Sequence, residues 1–333
     1  WLILLMLALL ISACGKILPA DPTQGAQQAT SPASANLTEV SPVGGNAAIQ
    51  AKVADLIARM TVDEKIGQMT QVEKNSIAEG DITRYFIGSI ISGGGGSPAE
   101  NSVASWVSMV DGYQQEALAT RLAIPLIYGL DAVHGHGNLY GATIFPQQIG
   151  LGATHNPELL RQIGQATAAE LLATGIHWNF APVLAVTQDI RWGRTYESYS
   201  EDTTLAAELG AAYISGLQSL PNSVNSAPGQ SIFILATAKH FLGDGGTTFG
   251  TSTIRYGYAN PDQIYLLDQG DMQLPEEKVR VLFLPPYQSA LQAGAQSVMA
   301  SFSSWNGVKM HGQKYWLTDV LKEELNFEGF IVS

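Results

Sequence analysis

The chain has 333 residues, of which 46% are hydrophobic and only 14% are charged, and its formal net charge is −12. Because this negative charge repels nucleic acid and anionic membrane surfaces, neither is predicted as a partner. The length and the hydrophobic share suffice for one large core, such as that of an α/β barrel.

The first 18 residues predict an export signal of the lipoprotein type. An apolar run from Trp1 to Leu10 is followed by Ile11-Ser-Ala-Cys14. A run this short is typical of a secretion signal rather than of a membrane-spanning helix. The residues ending in Cys14 resemble a bacterial lipobox, whose cysteine becomes lipidated; the alternative is an ordinary signal peptide with a chance cysteine. We expect a bacterial envelope protein, in the periplasm or at the outer membrane, attached to the membrane only through a lipid on Cys14.

Residues 19–47 predict a disordered tether, and residues 48–333 a folded domain. The tether is rich in Pro, Ala, Ser, Thr, Gln and Gly and has too few large apolar residues to form a core. Cys14 is the only cysteine in the chain, so no internal disulfide is expected.

Within the folded domain, helix signals alternate with apolar runs that are typical of strands. Thr61-Val-Asp-Glu64 forms a capping box, Asn156-Pro157 starts a helix that Gly175 ends, and Thr318 is expected to cap a helix towards Leu325. After Asn156, the apolar positions with helical spacing are Leu159, Leu160, Ile163, Ala166, Ala169 and Leu172. The strand candidates are 67–72, 87–92, 124–130, 178–186, 232–240, 297–303 and 330–333. This alternation predicts a parallel sheet, in a barrel or a doubly wound fold.

Polar side chains cluster where several of the predicted strands end. Asp131 follows the run 124–130, while Lys239 and His240 close the run 232–240. Arg191 and Arg194 lie beyond the run 178–186. Because active sites of parallel α/β proteins lie at the carboxyl ends of the strands, this placement favours a barrel with one site there.

The residue types suit a polyol ligand. A carboxylate such as Asp131 accepts hydrogen bonds from vicinal hydroxyls, and Arg191-Trp-Gly-Arg194 combines planar donors with an aromatic face. Asp131 is alternatively a turn residue, and one arginine alternatively only ties down its loop through Glu197 or Glu201. We assign Arg194 to the ligand and Arg191 to the structure. Asp244 is a candidate partner of either Lys239 or His240.

His134 and His136 form a His-x-His pair that leaves a second enzyme class open. With Lys239 and His240 they would suit a metal-dependent amidohydrolase barrel. The pair follows Asp131 in a glycine-rich loop rather than a strand, which favours a structural role. We therefore expect neither a metal nor another cofactor. A non-catalytic lipoprotein that only binds such a polyol ligand remains a further alternative.

Five blocks of the sequence resemble glycoside hydrolase family 3, in its β-glucosidase and exo-β-glucan glucohydrolase branch. The blocks are Gly129-Leu-Asp-Ala-Val-His-Gly-His-Gly-Asn138, Tyr140-Gly-Ala-Thr-Ile-Phe-Pro146, Arg191-Trp-Gly-Arg-Thr-Tyr-Glu-Ser-Tyr-Ser-Glu-Asp202, Ala238-Lys-His-Phe-Leu-Gly-Asp-Gly-Gly246 and Ser303-Ser-Trp-Asn-Gly-Val-Lys-Met-His311. The resemblance implies a (β/α)8 TIM-type barrel that is truncated at its seventh strand. It also implies that a C-terminal α/β sandwich domain is absent from this chain.

The resemblance further implies that Asp131, Arg194, Lys239 and His240 hold the hydroxyls of a glucosyl unit in the −1 subsite. The family's nucleophile is an aspartate, expected here immediately after Ser333, and its acid/base glutamate comes from the sandwich domain. The whole enzyme would hydrolyse terminal β-D-glucosyl residues of β-glucan oligosaccharides or β-glucosides with retention, whereas this fragment, with neither catalytic carboxylate, is expected to be inactive.

Two local departures bear on the parent enzyme. Phe302 stands where plant relatives have a tyrosine, so any contact made by that hydroxyl is unfilled. The Lys239-His240 block is not followed by the Asp-Ser-His loop of the family's N-acetylglucosaminidases, which favours a glucosidase. The long segment 251–277 is assigned no function beyond that of a rim loop.

Overall fold

The computed structural model describes residues 47–219, 233–257, 260 and 262–333. The predicted signal segment, Cys14 and the predicted tether up to residue 46 lie outside these residues. A helix begins at Ala47, the last residue of the predicted tether. No helix in the described ranges is both long and apolar enough to span a bilayer.

In the described part of the chain, seven parallel strands form the main sheet and three short strands form a second one. The strands are β1 Gln71–Glu73, β2 Ser89–Ser92, β3 Ile127–Leu130, β4 Trp178–Asn179, β5 Leu235–Phe241, β6 Asp271–Met272, β7 Ser297–Ala300, β8 Ser304–Trp305, β9 Val308–Lys309 and β10 Phe330–Val332. The main sheet has the order β1-β2-β3-β4-β5-β7-β10, and β6, β8 and β9 make up the small sheet. Neighbouring strands of the main sheet also follow one another along the chain, except that the chain enters the small sheet between β5 and β7 and again between β7 and β10. This sequential strand order is typical of a barrel rather than of a doubly wound fold.

Helices on the outside connect the strands. They are α1 Ala47–Arg59, α2 Val62–Gln68, α3 Asp81–Tyr85, α4 Val103–Leu118, α5 Gln148–Gly152, α6 Pro157–Ala173, α7 Thr203–Gln218, α8 Glu276–Leu282 and α9 Pro285–Gln292, with a π-helix at Tyr315–Glu324. The seven strands and their helices confirm the predicted (β/α)8-type barrel class. Every predicted strand overlaps an observed one, but residues 67–68 belong to α2, so the first strand starts only at Gln71.

Two of the three predicted helix starts are confirmed. Thr61 Oγ1 accepts a hydrogen bond from Glu64 N at 3.2 Å, and Glu64 Oε2 accepts one from Thr61 N at 2.8 Å. Asn156 caps α6, which ends before Gly175 with its φ of +77°. The predicted Thr318 cap is wrong, because the helix already begins at Tyr315. Trp316 in its first turn is fully buried, so packing extends the helix past the predicted cap.

Close contact between α6 and α7 depends on glycine. A Cβ atom added to Gly216 would lie 2.1 Å from the backbone oxygen of Arg161, and one added to Gly164 would lie 2.5 Å from the backbone oxygen of Tyr213. Backbone atoms cannot move aside as flexible side chains do. The two helices therefore require these glycines to pack at this distance.

The Gly216→Ala variant is expected to lower the free energy of unfolding by about 1–3 kcal/mol, the usual cost of overpacking. The matched control is Gly112→Ala in α4, where an added Cβ meets nothing within 4 Å and helix propensity favours alanine by about 1 kcal/mol. Urea unfolding followed by circular dichroism measures both. Equal stability changes in the two variants would contradict the close-packing argument.

Candidate active site

The four residues predicted to bind the ligand lie at one end of the barrel. Asp131 directly follows β3, and Lys239 and His240 lie on β5. Arg194 immediately precedes a short 3-10 helix, Thr195–Glu197, in the segment after β4. This carboxyl end of the sheet, where the four side chains lie, is called the mouth below.

Lys239 and Asp131 form an ion pair across the mouth. Lys239 Nζ lies 2.6 Å from Asp131 Oδ1. The Lys239 side chain is 5% exposed and that of Asp131 is 34% exposed. Because burying an unpaired ammonium group is costly, Asp131 stabilises Lys239 in this position. The carboxylate itself remains accessible from the mouth.

Arg194 is held by Glu197 and reaches His240. The guanidinium donates two hydrogen bonds to the Glu197 carboxylate, of 2.9 and 2.6 Å. Its Nη2 atom lies 3.3 Å from His240 Nε2. Burial raises the pKa of Glu197, but the hydrogen bonds and charge of Arg194 outweigh burial and bring that pKa below its ordinary value. Glu197 is thus an anion that fixes Arg194.

Asp244 holds the other side of His240. Its Oδ2 atom lies 2.9 Å from His240 Nδ1, and its Oδ1 atom accepts a 3.0 Å hydrogen bond from the backbone N–H of Gly245. Burial lowers the pKa of His240 although Asp244 opposes this shift. Burial thus favours the neutral form of the His240 imidazole. Of the two candidate partners of Asp244 that the sequence left open, the structure pairs it with His240.

Lys239 and His240 both face the mouth although they are adjacent on a strand. Regular alternation would place them on opposite faces, and the sequence predicts that the strand ends there. Instead β5 continues to Phe241, and its pairing with β7 shifts register between Lys239 and Phe241. Such a bulge re-aims side chains, which accounts for the buried contacts of both residues.

Arg191 lies outside this network. It binds Asp189 through two hydrogen bonds from its Nε atom of 2.9 and 3.1 Å, and its guanidinium carbon lies 3.8 Å above the centre of the Phe249 ring. The loop contact to Glu197 that the sequence left open is made by Arg194 and not by Arg191. The contacts of Arg191 are those of a residue that orders the rim.

His134 and His136 contact different parts of the structure. His134 Nδ1 lies 2.8 Å from the backbone oxygen of Phe145. His136 is fully buried, with its Nε2 atom 3.1 Å from Thr174 Oγ1. Within the described part of the chain, no group of three or more His, Cys, Asp or Glu side chains is placed to hold a metal ion. The amidohydrolase alternative has no ligand set among these residues.

The segment 251–277 and Phe302 border the mouth in different ways. The segment contains β6, which pairs with β8, so it is anchored in the small sheet rather than being only a loop. Phe302, in the turn after β7, is 56% exposed, and its ring centre lies 5.2 Å from that of His311. Phe302 thus presents an apolar surface where a tyrosine would offer a hydroxyl.

Comparisons with known proteins match this arrangement to one family. The sequence model described as the N-terminal domain of glycosyl hydrolase family 3 matches residues 61–333. The lysosomal beta glucosidase of Dictyostelium discoideum is 35% identical over 304 residues, and the periplasmic beta-glucosidase of Salmonella typhimurium is 30% identical over 282 residues; each alignment covers 84% of this chain. The crystal structure of an exo-1,3/1,4-beta-glucanase from a Pseudoalteromonas species superposes with a TM-score of 0.77 and 41% identity over 89% of this chain.

These relatives are much longer than the chain described here. The alignments cover 34% of the Dictyostelium protein, 32% of the Salmonella protein and 35% of the Pseudoalteromonas chain. The chain therefore spans about a third of the length of these relatives.

Proposed function

The chain belongs to glycosyl hydrolase family 3, and from that premise we propose that it forms the sugar-binding barrel of a β-glucosidase or exo-acting β-glucan glucohydrolase. The complete enzyme removes terminal β-D-glucosyl residues from β-glucan oligosaccharides or β-glucosides, as a step of carbohydrate metabolism. The relatives named above, which are two β-glucosidases and one exo-β-glucanase, support this substrate class.

One observation carries the proposal: two networks of charged and polar side chains meet at the mouth. Lys239 binds Asp131, and Arg194 contacts His240. A pyranose ring presents hydroxyls that both donate and accept hydrogen bonds, so it needs donors and acceptors side by side. Asp131 supplies acceptors, and Lys239 and Arg194 supply charged donors. We assign these four residues to the −1 subsite, where such bonds strengthen in the transition state.

The proposed reaction proceeds with retention of configuration. An aspartate attacks the anomeric carbon, a glutamic acid protonates the leaving oxygen, and water then hydrolyses the glycosyl-enzyme. From the family resemblance we assign the nucleophile to the position directly after Ser333; this position would lie at the mouth, because β10 runs parallel to β7. The acid/base glutamate is assigned to a C-terminal α/β sandwich domain. The residues of this chain would orient the sugar for that chemistry.

The proposal includes an envelope location. It rests on the lipobox-like sequence ending in Cys14 and on the tether at 19–47, and it is supported by the similarity to a periplasmic enzyme of Salmonella typhimurium. We propose a lipid anchor on Cys14 and a position in the periplasm or at the outer membrane.

Residues 1–333 alone are expected to release no nitrophenol from p-nitrophenyl β-D-glucoside, because neither proposed catalytic carboxylate is among them. The matched control is the same chain extended through the sandwich domain and assayed under the same conditions. Turnover by residues 1–333 comparable to that of the extended chain would contradict the assignment of the nucleophile.

The coding sequence beyond Ser333 separates the enzyme from a glucan-binding lipoprotein. An aspartate codon immediately after Ser333 supports the proposed nucleophile. A stop codon there would favour a non-catalytic binder.

A further inference from the structure

His240 lies between a fixed acceptor and a fixed donor. Its Nδ1 atom is 2.9 Å from Asp244 Oδ2, and its Nε2 atom is 3.3 Å from Arg194 Nη2. His240 and Asp244 are each 8% exposed. Water therefore has little access to reorganise these contacts.

The chemistry of the two neighbours permits only one tautomer. A guanidinium group donates hydrogen bonds and accepts none, so Nε2 of His240 must be the acceptor in this contact. A neutral imidazole carries its single proton on the other nitrogen, and that proton then points at the Asp244 carboxylate. Lys239 and Glu197 add one positive and one negative charge nearby, and neither residue makes a hydrogen bond to the ring that would favour the opposite tautomer.

Asp244 is itself fixed by the backbone. Its second carboxylate oxygen accepts the N–H of Gly245, and a Cβ atom on Gly245 would lie 2.6 Å from the backbone oxygen of Val186. The tight packing around Gly245 holds the donor in place, and the donor holds the carboxylate. The backbone thus fixes Asp244, and Asp244 in turn fixes the imidazole of His240.

We propose that Asp244 is a positioning residue that holds His240 in its Nδ1-protonated tautomer, so that Nε2 offers a hydrogen-bond acceptor to the mouth beside the Arg194 donors. The 3.3 Å contact between Arg194 and His240 is long for a hydrogen bond. A hydroxyl group can replace it by donating to Nε2 and accepting from Arg194. A carbonyl, ether or fluorine atom can only accept and leaves Nε2 unpaired.

This selection of a hydroxyl rests on the proposed function, whereas the tautomer does not. Sugar hydroxyls are the ligands that such a donor–acceptor pair recognises. The tautomer is a property of the protein without ligand and is measured without substrate. The two parts can therefore fail separately.

The test is ¹⁵N NMR of histidine-labelled protein, which distinguishes protonated from unprotonated ring nitrogens. The chain has six histidines, and the His240 signals are assigned as those that disappear in a His240→Gln variant. At pH 7, wild-type His240 is expected to show a protonated Nδ1 and an unprotonated Nε2. A protonated Nε2, alone or together with Nδ1, would overturn the proposal without any need for a further variant.

Asp244→Asn is expected to reverse the tautomer of His240. Asparagine has one side-chain oxygen, and the Gly245 N–H requires that oxygen, so the amide NH₂ group faces Nδ1. Nδ1 must then accept, and the ring proton moves to Nε2, opposite Arg194. A His240 that stays Nδ1-protonated in this variant would refute the positioning role of Asp244.

The matched control is Glu197→Gln, which changes the same network on the side of Arg194. It removes a carboxylate near His240 but not the partner of Nδ1, so the tautomer is expected to remain that of the wild type. Reversal in both variants would show a general response to lost charge and would overturn the specific role of Asp244. If the tautomers follow the prediction but glucose does not bind the wild-type chain, the proposed function fails while the role of Asp244 is supported.

Discussion

Replacing Lys239 with methionine is expected to lower the affinity of the chain for glucose by about 30-fold. Lys239 is the buried cation of the mouth, and its ammonium group lies 2.6 Å from Asp131. Under the proposed assignment to the −1 subsite, the variant loses a charged donor to the sugar and the group that orients Asp131. Hydrogen bonds to charged groups contribute about 1.5–3 kcal/mol, and about 2 kcal/mol corresponds to the stated factor. Isothermal titration calorimetry with glucose measures the change.

The control for this prediction is Lys278→Met on the outer face of α8. Lys278 is exposed, and its loss changes the net charge of the protein by the same amount. The affinity of the Lys278→Met variant for glucose is expected to equal that of the wild type. Equal affinities of the Lys239 variant and the wild type would remove Lys239 from the subsite.

Replacing Arg194 with methionine is expected to destabilise the protein by about 2 kcal/mol at pH 7. Glu197 is 12% exposed and would keep its charge without a partner. Breaking a fully buried ion pair costs about 3–5 kcal/mol. Arg194 is 35% exposed, so solvent screening reduces this figure. Urea unfolding gives the free energy directly.

The stability difference between the wild type and the Arg194 variant is expected to depend on pH. In the wild type, Arg194 lowers the pKa of Glu197, so the pair stabilises the protein above the unfolded-state pKa of a glutamate, and that stabilisation is lost as the pH falls through the lowered pKa. In the variant, the contributions of Arg194 are lost, so burial raises the pKa of Glu197 against only the weaker effect of neighbouring charges such as Lys239. The difference between the two proteins is therefore expected to shrink as Glu197 becomes protonated in both.

Two further variants control for the loss of the arginine side chain itself. Arg194→Met combined with Glu197→Gln is expected to recover part of the lost stability, because no buried charge is left unpaired. Arg191→Met removes an arginine from an exposed pair and is expected to change stability little. A deficit that is independent of pH and unchanged in the double variant would contradict the role of the Glu197 charge.

The positions of the site residues could be predicted because apolar runs mark where strands end. Asp131 follows such a run directly, and its strand ends at Leu130 as expected. The alternation of strands with helices predicted a parallel sheet, in which the carboxyl ends of the strands lie at the same end of the barrel. The assignment of Asp131, Arg194, Lys239 and His240 to a glucosyl unit came from the family resemblance and remains a proposal.

The pairing of these side chains could not be predicted, because it depends on local irregularities. The register shift in β5 brings Lys239 and His240 to the same end, and strand periodicity gives no sign of it. Sequence spacing likewise did not decide which of the two arginines, Arg191 or Arg194, pairs with Glu197.

Helix packing shows the same limit. The helical pattern of α6 included Ala166 and Ala169, which are exposed, whereas Gly164 and Thr167 are buried. Contact with α7 selects small residues at that face, so side-chain size outweighs hydrophobicity there.

The most direct test of the central claim is a crystal structure of this chain soaked with glucose. The account predicts one pyranose ring at the mouth, with hydroxyls bonded to Asp131, Lys239 and Arg194 and with one hydroxyl bridging Arg194 and His240 Nε2. Glucose bound elsewhere on the barrel, or a mouth that stays empty at saturating glucose, would contradict it.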